Sequence, residues 1–594
     1  MFQSFSATTS PEQGPPRLER LRAEMARVGV DAFIVPRADA HQGEYVASCD
    51  ERLAWLTGFT GSAGFAAITA NDAGVFADGR YRVQVRAQIA APFTAVDWPE
   101  TQLGAWLKEH LSSGQKVAYD PWLHTKEQID KLEKALGDDI QLVPSDNLVD
   151  RVWEDRPGPP SAQAKSQPIE RTGKSSVTKR EEIAQALKDA GEKSAVLTLA
   201  DSVSWLLNIR GADIPRNPVV LAFAIIHDDA TVELFSEPSK FDALGPDPAI
   251  TLHQTSALSE CLATLNGPVR VDPASAPMAV GQILTDAGVE ISWNDDPCIL
   301  PKAIKTEVEI AGTREAHLRD AAAMIEFLTW FDKTAPDGGL TEIDAAKELE
   351  ARRRATNALQ DISFDTISGA GPNGAIVHYR VTEETNRPIR PGELYLVDSG
   401  GQYLDGTTDI TRTIAVGTPP DEACDAFTRV LQGMIAISTA RFPKGLSGRD
   451  LDGLARAPLW RAGLDYDHGT GHGVGVFLCV HEGPQRLSRL SEVPLEPGMI
   501  LSNEPGYYRE GHFGIRIENL IVVEKASALG DNRTQYSFET LTFVPIDTRL
   551  IDTEMLAPWE RAWLNAYHAK VFQMVADRLS PDAKGWLHNA TQPI

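Results

Sequence analysis

The chain has few cysteines: five among 594 residues, at scattered positions and without a Cys-x-x-Cys pair. An odd number of scattered cysteines provides neither a disulfide framework nor a cysteine-rich metal motif. Cys479 lies between two histidines, but a small buried apolar residue explains it best. Because nothing in the pattern requires disulfides, we expect a protein of the reducing cytoplasm.

Long apolar runs and excess positive charge are also missing. The longest apolar run, VVLAFAII at 219–226, is far too short to span a bilayer. The first residues, MFQSFSATTSPEQGPP, have no basic segment and no apolar core, so we predict no signal peptide. Lys and Arg number 57 against 83 Asp and Glu, a net charge of −26. This balance argues against a nucleic-acid or membrane partner.

The length is sufficient for three or four domains, and the first half of the chain repeats one order of elements. Residues 17–36 predict a helix that ends at Gly29, followed by the strand DAFIVP. A second helix begins near Lys179, and the strands SAVLTL and VVLAFAII follow it. We interpret this order as a degenerate internal duplication that gives two α/β domains. A linker rich in proline and small residues, 156–168, joins them.

The last part of the chain predicts a different architecture. Helical patterns cover KTEVEIAGTREAHLRDAAAMIEFLTWF, DEACDAFTRVLQGMIAIS and the tail at 558–579, and strand patterns cover 361–417 and much of the chain after 472. Helices that pack on an antiparallel sheet give an α+β domain. We therefore predict three domains, at 15–160, 165–300 and 301–594.

Five residues with metal-binding side chains are spread along this last domain: Asp398, Asp409, His472, Glu504 and Glu518. Asp398 and Asp409 flank GGQYLDGTT, so we expect a hairpin whose two antiparallel strands each offer one carboxylate to the same face. Four carboxylates and one imidazole suit two divalent transition-metal ions. Two such ions can activate a hydroxide for hydrolysis.

The motifs around these residues resemble those of the pita-bread metallopeptidases. They are the two aspartates with their spacing, HGTGHGVG, SNEPG and IRIEN. This family includes methionine aminopeptidase, prolidase, aminopeptidase P and the metal-free creatinase. The upstream motifs GFTGSAG, DGRY and SWLLNIRGADIPRNPV are similar to those of the long, three-domain aminopeptidases P. The resemblance runs from about residue 15 to the C-terminus.

The resemblance implies a fold, a cofactor and a substrate. The fold would be two creatinase-like N-terminal domains of ribonuclease-H-like type and a pita-bread catalytic domain. Asp398 would bind one metal ion, His472 and Glu504 the other, and Asp409 and Glu518 would bridge them. Family habit favours Mn²⁺, with Zn²⁺ and Co²⁺ as alternatives. The expected substrates are peptides with an N-terminal X-Pro bond, and the C-terminal helix would accompany a homodimer or pack on its own domain.

Further candidate site residues are His378, His468, His481 and Arg516. By resemblance, His378 and His481 would bind the substrate carbonyl or the developing oxyanion, and His468 would shape the pocket. Glu504 or a bridging carboxylate would act as general base. Arg516 could pair with a ligand carboxylate, or it could be an ordinary surface arginine. Arg380 departs from the small residue that long eukaryotic forms place after His-Tyr, which leaves the fine substrate preference open.

Two alternatives stay open from the sequence. A prolidase-like dipeptidase would keep all five metal-binding residues, but the duplicated N-terminal domains argue against it. A non-catalytic binding module would be expected to lose at least one of the five, as would a metal-free creatinase-like enzyme. We therefore predict an X-Pro aminopeptidase.

Overall fold

A computed structural model describes residues 1–530 and 532–594 of the chain. The chain forms two compact units. The N-terminal unit consists of Thr8–Ile169 and Lys174–Lys302. The C-terminal unit consists of Met1–Ala7, Glu170–Gly173 and Ala303–Ile594.

The first half of the N-terminal unit is a mixed sheet with helices. Its strands are β1 (Ala32–Pro36), β2 (Phe65–Thr69), β3 (Ala73–Ala77), β4 (Thr94–Asp97), β5 (Lys116–Tyr119) and β6 (Gln141–Pro144). Its helices are α1 (Gly14–Val28), α2 (Arg52–Thr57), α3 (Arg82–Gln88), α4 (Leu103–His110), α5 (Lys126–Leu136) and α6 (Leu148–Val152). Helix α1 buries Leu18, Leu21 and Met25 on one face and ends at Gly29, as its spacing predicts.

The second half begins with short elements near the boundary. Its strands are β7 (Lys165–Ser166), β8 (Ser194–Leu197), β9 (Ile209–Arg210), β10 (Phe223–His227), β11 (Val232–Phe235), β12 (Ile250–His253), β13 (Val269–Val271) and β14 (Ile291–Trp293). The short helix α7 (Ile169–Thr172) lies mostly in the C-terminal unit. The helices of this half are α8 (Ser176–Ala190), α9 (Ala200–Leu206), α10 (Leu258–Ala263), α11 (Met278–Asp286) and α12 (Ile299–Ala303). The expected strand at 219–226 starts only at Phe223, although Val219 and Val220 are buried.

The two halves have the same sheet topology, which confirms the predicted duplication. The strand orders are β4-β3-β2-β1-β5-β6 and β12-β11-β10-β8-β13-β14. In the first sheet, β1–β2 and β2–β3 are antiparallel pairs, and the other three pairs are parallel. In the second sheet, the corresponding pairs β8–β10 and β10–β11 are antiparallel, and the other three are again parallel. The repeated order of helices and strands along the chain therefore reflects two copies of one α/β architecture.

The C-terminal unit contains the remaining elements. Its strands are β15 (Leu359–Ile362), β16 (Ile367–Ala370), β17 (Leu394–Ser399), β18 (Gly401–Tyr403), β19 (Gly406–Thr407), β20 (Ile410–Ala415), β21 (Phe442–Pro443), β22 (Gly471–Gly473), β23 (Glu482–Leu487), β24 (Ile500–Asn503), β25 (Gly506–Arg509), β26 (Phe513–Arg516), β27 (Asn519–Lys525) and β28 (Gln535–Thr540). Its helices are α13 (Glu307–Thr334), α14 (Glu342–Ala355), α15 (Asp421–Ser438), α16 (Gly448–Trp460), α17 (Pro558–Val575) and α18 (Pro581–Ala590).

Helices pack on the first of two sheets to form the largest apolar cluster, and the second sheet contributes to separate clusters. Strands β16, β17 and β20 form one sheet, and β21-β28-β27-β24-β22-β23 form another. Phe331 of α13 stacks on Tyr395 of β17, and α15 and α17 add Leu431 and Val571 to the same apolar cluster. The predicted α+β architecture of this part is confirmed.

Two local expectations need correction. Residues between β16 and β17, which the sequence assigned to strands, form a short 3₁₀ helix (Gly371–Ala375) and irregular turns. Gly371 there adopts a left-handed φ of +51°, and two prolines follow in Arg387–Pro391, which interrupt strand hydrogen bonding. The helix predicted over 558–579 ends at Val575 and packs Leu564 and Val571 into the core, as one of its two alternatives expected, and α18, which the sequence did not predict, follows it.

Among the described residues, no helix combines the length and the apolar character that a membrane span requires.

Candidate metal centre and active site

The five predicted metal-binding residues lie at or beside strands of the two C-terminal sheets. Asp398 is in β17 and Asp409 immediately precedes β20, while His472 is in β22. Glu504 directly follows β24, and Glu518 lies between β26 and β27. Strand ends fix these short side chains on rigid elements, which is how a metal site reaches a defined geometry.

The pairing of β17 with β20 is antiparallel, as the hairpin prediction requires, with Asp398 opposite Thr411. The connection is more elaborate than a simple turn, because β18 and β19 form a second hairpin that pairs with β15 in a separate sheet. Gly400 is essential to this arrangement: a Cβ there would lie 1.9 Å from the carbonyl oxygen of Thr408. The chain can therefore leave β17 and still return Asp409 to the neighbourhood of Asp398.

His472 is held with one ring nitrogen directed at two carboxylates. Its Nδ1 donates a 2.9 Å hydrogen bond to the carbonyl oxygen of Gly473. Its Nε2 lies 3.4 Å from Asp409 Oδ2 and 3.5 Å from Glu504 Oε1. The ligating atoms of Asp409, His472 and Glu518 all lie within 4.8 Å of one another. A backbone carbonyl can only accept, so Nδ1 carries the proton and Nε2 is the nitrogen available to a metal ion.

Hydroxyl groups hold the carboxylates in place. Thr411 donates a 2.8 Å hydrogen bond to Glu518 Oε2, and Ser502 donates a 3.1 Å bond to Glu504 Oε1. Two other carboxylate oxygens, Asp398 Oδ1 and Glu518 Oε1, are buried and have no hydrogen-bond donor within residues 1–530 and 532–594. Unpaired buried oxygens are costly, and a cation is the partner that suits them.

Repulsion among the buried carboxylates also indicates that a cation belongs in this site. Burial raises the pKa of Asp398 to about 7, and the negative charges of Asp409 and Glu504 act in the same direction, against the cation Arg516. Burial and neighbouring carboxylates also raise the pKa of Glu518 well above its usual range. Burial alone would lower the pKa of His472, but the hydrogen bond to Asp409 and the charge of Glu504 raise it to about 9. Four carboxylates and one imidazole in this setting fit two divalent cations.

Arg516 is a buried member of the site rather than a surface arginine, with 1% of the residue exposed. Its Nη2 donates a 2.6 Å hydrogen bond to Asp398 Oδ2. Its Nη1 donates a 2.6 Å bond to the hydroxyl of Tyr508, which in turn lies 2.8 Å from His468 Nε2. Because His468 Nδ1 donates to the carbonyl oxygen of Gly469, its Nε2 accepts from Tyr508. A continuous hydrogen-bonded chain thus links His468 to Asp398.

Tyr508 was not singled out from the sequence. Gly506 and Arg516 are direct partners in the β25–β26 hairpin, and Tyr508 lies on the same face two residues from Gly506. A Cβ at Gly506 would lie 2.7 Å from the Tyr508 hydroxyl oxygen, so the glycine makes room for the ring to reach Arg516. The sequence signal for this contact was a glycine two residues before a tyrosine, in EPGYY.

The contacts of the two other candidate histidines, His481 and His378, give less direct evidence that they belong to the site. The ring of His481 packs edge-on against that of His472, with 4.3 Å between centroids. His378 follows Val377, whose carbonyl oxygen lies 3.4 Å from Arg516 Nη2. Both segments therefore reach the residues around the metal-binding cluster. Arg380 pairs with Asp365 at 3.0 Å, and both side chains are partly exposed.

Family models match almost the whole chain. The model for metallopeptidase family M24 matches residues 311–525, and that for the C-terminal region of the same peptidases matches 534–594. Two models for the creatinase/prolidase N-terminal domain match residues 17–152 and 155–309.

Individual relatives match over nearly the full length as well. The chain is 38% identical to aminopeptidase P2 of Arabidopsis thaliana, with 96% of this chain and 86% of the relative covered. It is 40% identical to a probable Xaa-Pro aminopeptidase P of Aspergillus fumigatus, with coverages of 97% and 92%. A crystal structure of X-prolyl aminopeptidase from Caenorhabditis elegans, described as a cytosolic enzyme with a di-nuclear active site, superposes with a TM-score of 0.93 at 33% identity and covers 98% of this chain and 99% of its own. The chain therefore belongs to metallopeptidase family M24, among its aminopeptidases P with creatinase-type N-terminal domains.

Proposed function

We propose that this protein is a metal-dependent aminopeptidase that hydrolyses the first peptide bond of peptides with proline in the second position. The observation that carries the proposal is the complete cluster of Asp398, Asp409, His472, Glu504 and Glu518. It occurs in a chain that matches aminopeptidases P at 38–40% identity over nearly its full length. A binding module on the same fold would have no need to keep every ligand.

The cluster would hold two divalent ions, with Asp398 on one, His472 and Glu504 on the other, and Asp409 and Glu518 between them. When bound, the ions supply Lewis acidity that makes hydroxide available near neutral pH. One imidazole and four carboxylates suit Mn²⁺, Co²⁺ and Zn²⁺ alike, and the habit of the family favours Mn²⁺. We therefore propose Mn²⁺ as the working metal.

The chain's own residues would position the substrate and move protons. Glu504 would accept a proton from the attacking water as general base. The imidazoles of His481 and His378 would donate hydrogen bonds to the scissile carbonyl as its oxygen gains charge, and one of them would deliver a proton to the proline nitrogen. Arg516 would keep Asp398 ionised and oriented, and Tyr508 and His468 would fix the guanidinium in turn.

Preference for proline has a physical basis. An X-Pro bond has no N–H, so a site that requires no such donor loses nothing with proline, while many peptidases depend on that hydrogen bond. We include in the proposal that the N-terminal unit holds two creatinase-like domains, at 15–160 and 165–300, ahead of a catalytic domain at 301–594. The matched residue ranges 17–152, 155–309 and 311–525 support that division.

Two finer features complete the proposal. A homodimer is included because the tail that forms α17 accompanies dimerisation in the three-domain family that the chain resembles. Light scattering would then give twice the chain mass of 64.7 kDa. A cytoplasmic location is supported by the five cysteines, all of them free. The relative from Caenorhabditis elegans is described as cytosolic.

A peptide digest followed by mass spectrometry tests the activity. Mn²⁺-loaded protein is given Arg-Pro-Pro, Arg-Ala-Ala and the dipeptide Ala-Pro in separate reactions. Release of arginine from Arg-Pro-Pro alone, abolished by a chelator, is the expected result. Cleavage of only Ala-Pro would instead identify a prolidase-like dipeptidase. Absence of cleavage in all three, with metal bound, would favour a binding module.

A further inference from the structure

We propose that the N-terminal unit contains a second, mononuclear transition-metal site, formed by His227, Glu233, His253 and Cys261 and suited to Zn²⁺. These residues belong to the second α/β half of the unit, and none of them belongs to the dinuclear cluster. Their separation along the chain hides the site in the sequence, because the four ligands come from three strands and a helix.

Strand register brings three of the ligands to one face of the sheet. Strand β10 pairs with β11 so that Ile225 is opposite Glu233, and His227 is two residues further along the same face. Strand β11 pairs with the edge strand β12 so that Phe235 is opposite His253, which places Glu233 and His253 on that face too. Side chains at such diagonal positions on adjacent strands are within reach of each other.

The fourth ligand comes from the helix that covers this face. Cys261 is in α10, and it packs against the apolar cluster formed by Ile225, Phe235 and the helix residues Leu258 and Leu262. The two leucines on either side of Cys261 are buried, so they fix the orientation of the helix over the sheet. The thiol is thereby directed to the group of polar side chains beyond the apolar core.

Three of the four residues form a cluster of metal-binding size, and His227 contacts the carboxylate of that cluster. Glu233 Oε1 lies 3.1 Å from His227 Nε2, and Glu233 Oε2 lies 3.3 Å from His253 Nε2. The ligating atoms of Glu233, His253 and Cys261 all lie within 4.8 Å of one another. Ligand atoms on a tetrahedral zinc ion, with bonds of about 2.0–2.3 Å, are about 3.3–3.7 Å apart. Coordination by all four residues would require His227 Nε2 and the thiol to close on a common centre with Glu233 and His253.

Hydrogen bonds alone do not account for the grouping of His227, Glu233 and His253. His253 Nε2 is buried and makes no hydrogen bond within the described part of the chain, despite its nearness to Glu233. Its ring stacks on Phe235, with centroids 5.0 Å apart and planes 17° apart, which fixes its direction. A buried nitrogen with a fixed direction and no hydrogen bond is available to a metal ion.

The donor set selects the metal. One thiolate, two imidazoles and one carboxylate favour Zn²⁺ over Mn²⁺, because sulfur and nitrogen ligands suit zinc and oxygen ligands suit manganese. The protein would therefore hold two kinds of metal in two places. With all four ligands from the protein, the N-terminal site has the closed coordination of a structural site. Bound zinc would tie the edge strand β12 and helix α10 to the interior strands of the sheet.

Cobalt spectroscopy on the full-length chain tests this inference. Co²⁺ is added to metal-stripped protein, and the near-ultraviolet band of a thiolate-to-cobalt charge transfer is recorded. The dinuclear cluster has no sulfur ligand, so the band reports on the N-terminal site alone. We expect the band in the native chain, its loss in Cys261→Ser and its retention in Cys479→Ser, whose thiol lies in the C-terminal unit.

Metal stoichiometry provides the second measurement. Native protein dialysed against Zn²⁺ should bind one equivalent more than His253→Gln or Cys261→Ser, and Asp409→Asn should retain the thiolate band. His253→Gln preserves the size and polarity of the side chain, so its circular dichroism should match that of the native chain. An absent band in the native chain, or a band and stoichiometry unchanged in both variants, would overturn the inference. Neither result would affect the proposed peptidase activity.

Discussion

Arg516 donates a 2.6 Å hydrogen bond from Nη2 to Asp398 Oδ2, and both side chains are almost fully buried. The positive charge of the guanidinium acts on Glu504 as well as on Asp398. Its charge opposes the rise in the pKa of Asp398 that burial and the neighbouring carboxylates cause. The planar guanidinium also contacts Tyr508 and Thr411, so one side chain sets the positions of three others.

The first prediction concerns this contact. Arg516→Lys keeps the charge but loses the planar fork that holds Asp398 and Tyr508 together, so we expect metal binding to weaken about 10- to 100-fold. Titration with Mn²⁺, with free ion measured by electron paramagnetic resonance, reports the affinity. Arg509→Lys in the same hairpin is the control, because Arg509 is exposed and pairs with Glu422. Equal affinities for the two variants would contradict the assigned role.

The second prediction concerns Asp409, whose Oδ2 lies 3.4 Å from His472 Nε2. Asp409→Asn removes a charge and one strong metal-binding oxygen, so we expect the loss of bound metal and of peptidase activity while the fold is retained. Elemental analysis measures the bound metal, the peptide digest measures the activity, and circular dichroism measures the fold. The matched control is Asp405→Asn, which removes only a pair with Arg319 at the turn between β18 and β19. Full activity of Asp409→Asn in metal-free buffer would rule out the dinuclear proposal.

The third prediction separates metal binding from substrate binding. His481→Gln and His378→Gln should each lower kcat by about 10²- to 10⁴-fold, the usual contribution of a positioned proton donor. Metal content should stay unchanged, because neither residue is among the five proposed ligands. His512→Gln, at the exposed turn between β25 and β26, should behave as the native chain. A loss of metal in His481→Gln would show that its contact with His472 is structural.

The fourth prediction concerns a buried ion pair next to His481. Lys305 Nζ donates to Glu482 Oε1, and their side chains are 2% and 0% exposed. Lys305→Met leaves Glu482 buried without its cation, which should destabilise the C-terminal unit by about 3–5 kcal/mol. The double variant Lys305→Met with Glu482→Leu should recover most of this loss. Urea unfolding of the single and double variants measures both effects. If the changes in the free energy of unfolding of the two single variants added up in the double variant, the pairing would be contradicted.

The sequence predicts elements well where the signal is local. Helix α14 begins at Glu342, and the preceding Thr341 forms a capping box with Asp344, which the spacing of these two residues indicates. The order of helix and strand in the duplicated halves follows from hydrophobic spacing alone. Helix α18 was missed although its signals are local too: Ser580 caps it and Pro581 occupies its first position.

Contacts between distant segments could not be predicted from local sequence signals. The five metal-binding residues were found because their residue types and motifs stand out, but Tyr508 has an ordinary residue type. Its role depends on Gly506 in its own strand and on His468, 40 residues away. The zinc-suited group around Glu233 was missed for the same reason, because only strand register brings His227 and His253 together.

The last prediction uses His568, which is buried in α17 and accepts a 3.1 Å hydrogen bond at Nε2 from the backbone N–H of Ile546. Burial, with a further contribution from the Arg412 cation, lowers the pKa of His568 to about 4. In the unfolded chain its pKa is about 6.5. Between these values the unfolded chain binds a proton that the folded chain does not, so the free energy of unfolding falls as the pH falls.

This linkage should cost the native protein about 2 kcal/mol between about pH 6.5 and about pH 5. His568→Gln cannot bind that proton, so its loss of stability on acidification is smaller by about the same amount. Urea unfolding of both proteins at the two pH values gives the difference, in which the other titrating groups cancel. His588→Gln, at an exposed position of α18, should keep the native pH dependence. If His568→Gln and the native chain lost equal stability on acidification, His568 would have to take up its proton in the folded state, and the hydrogen bond from Ile546 could not persist at low pH.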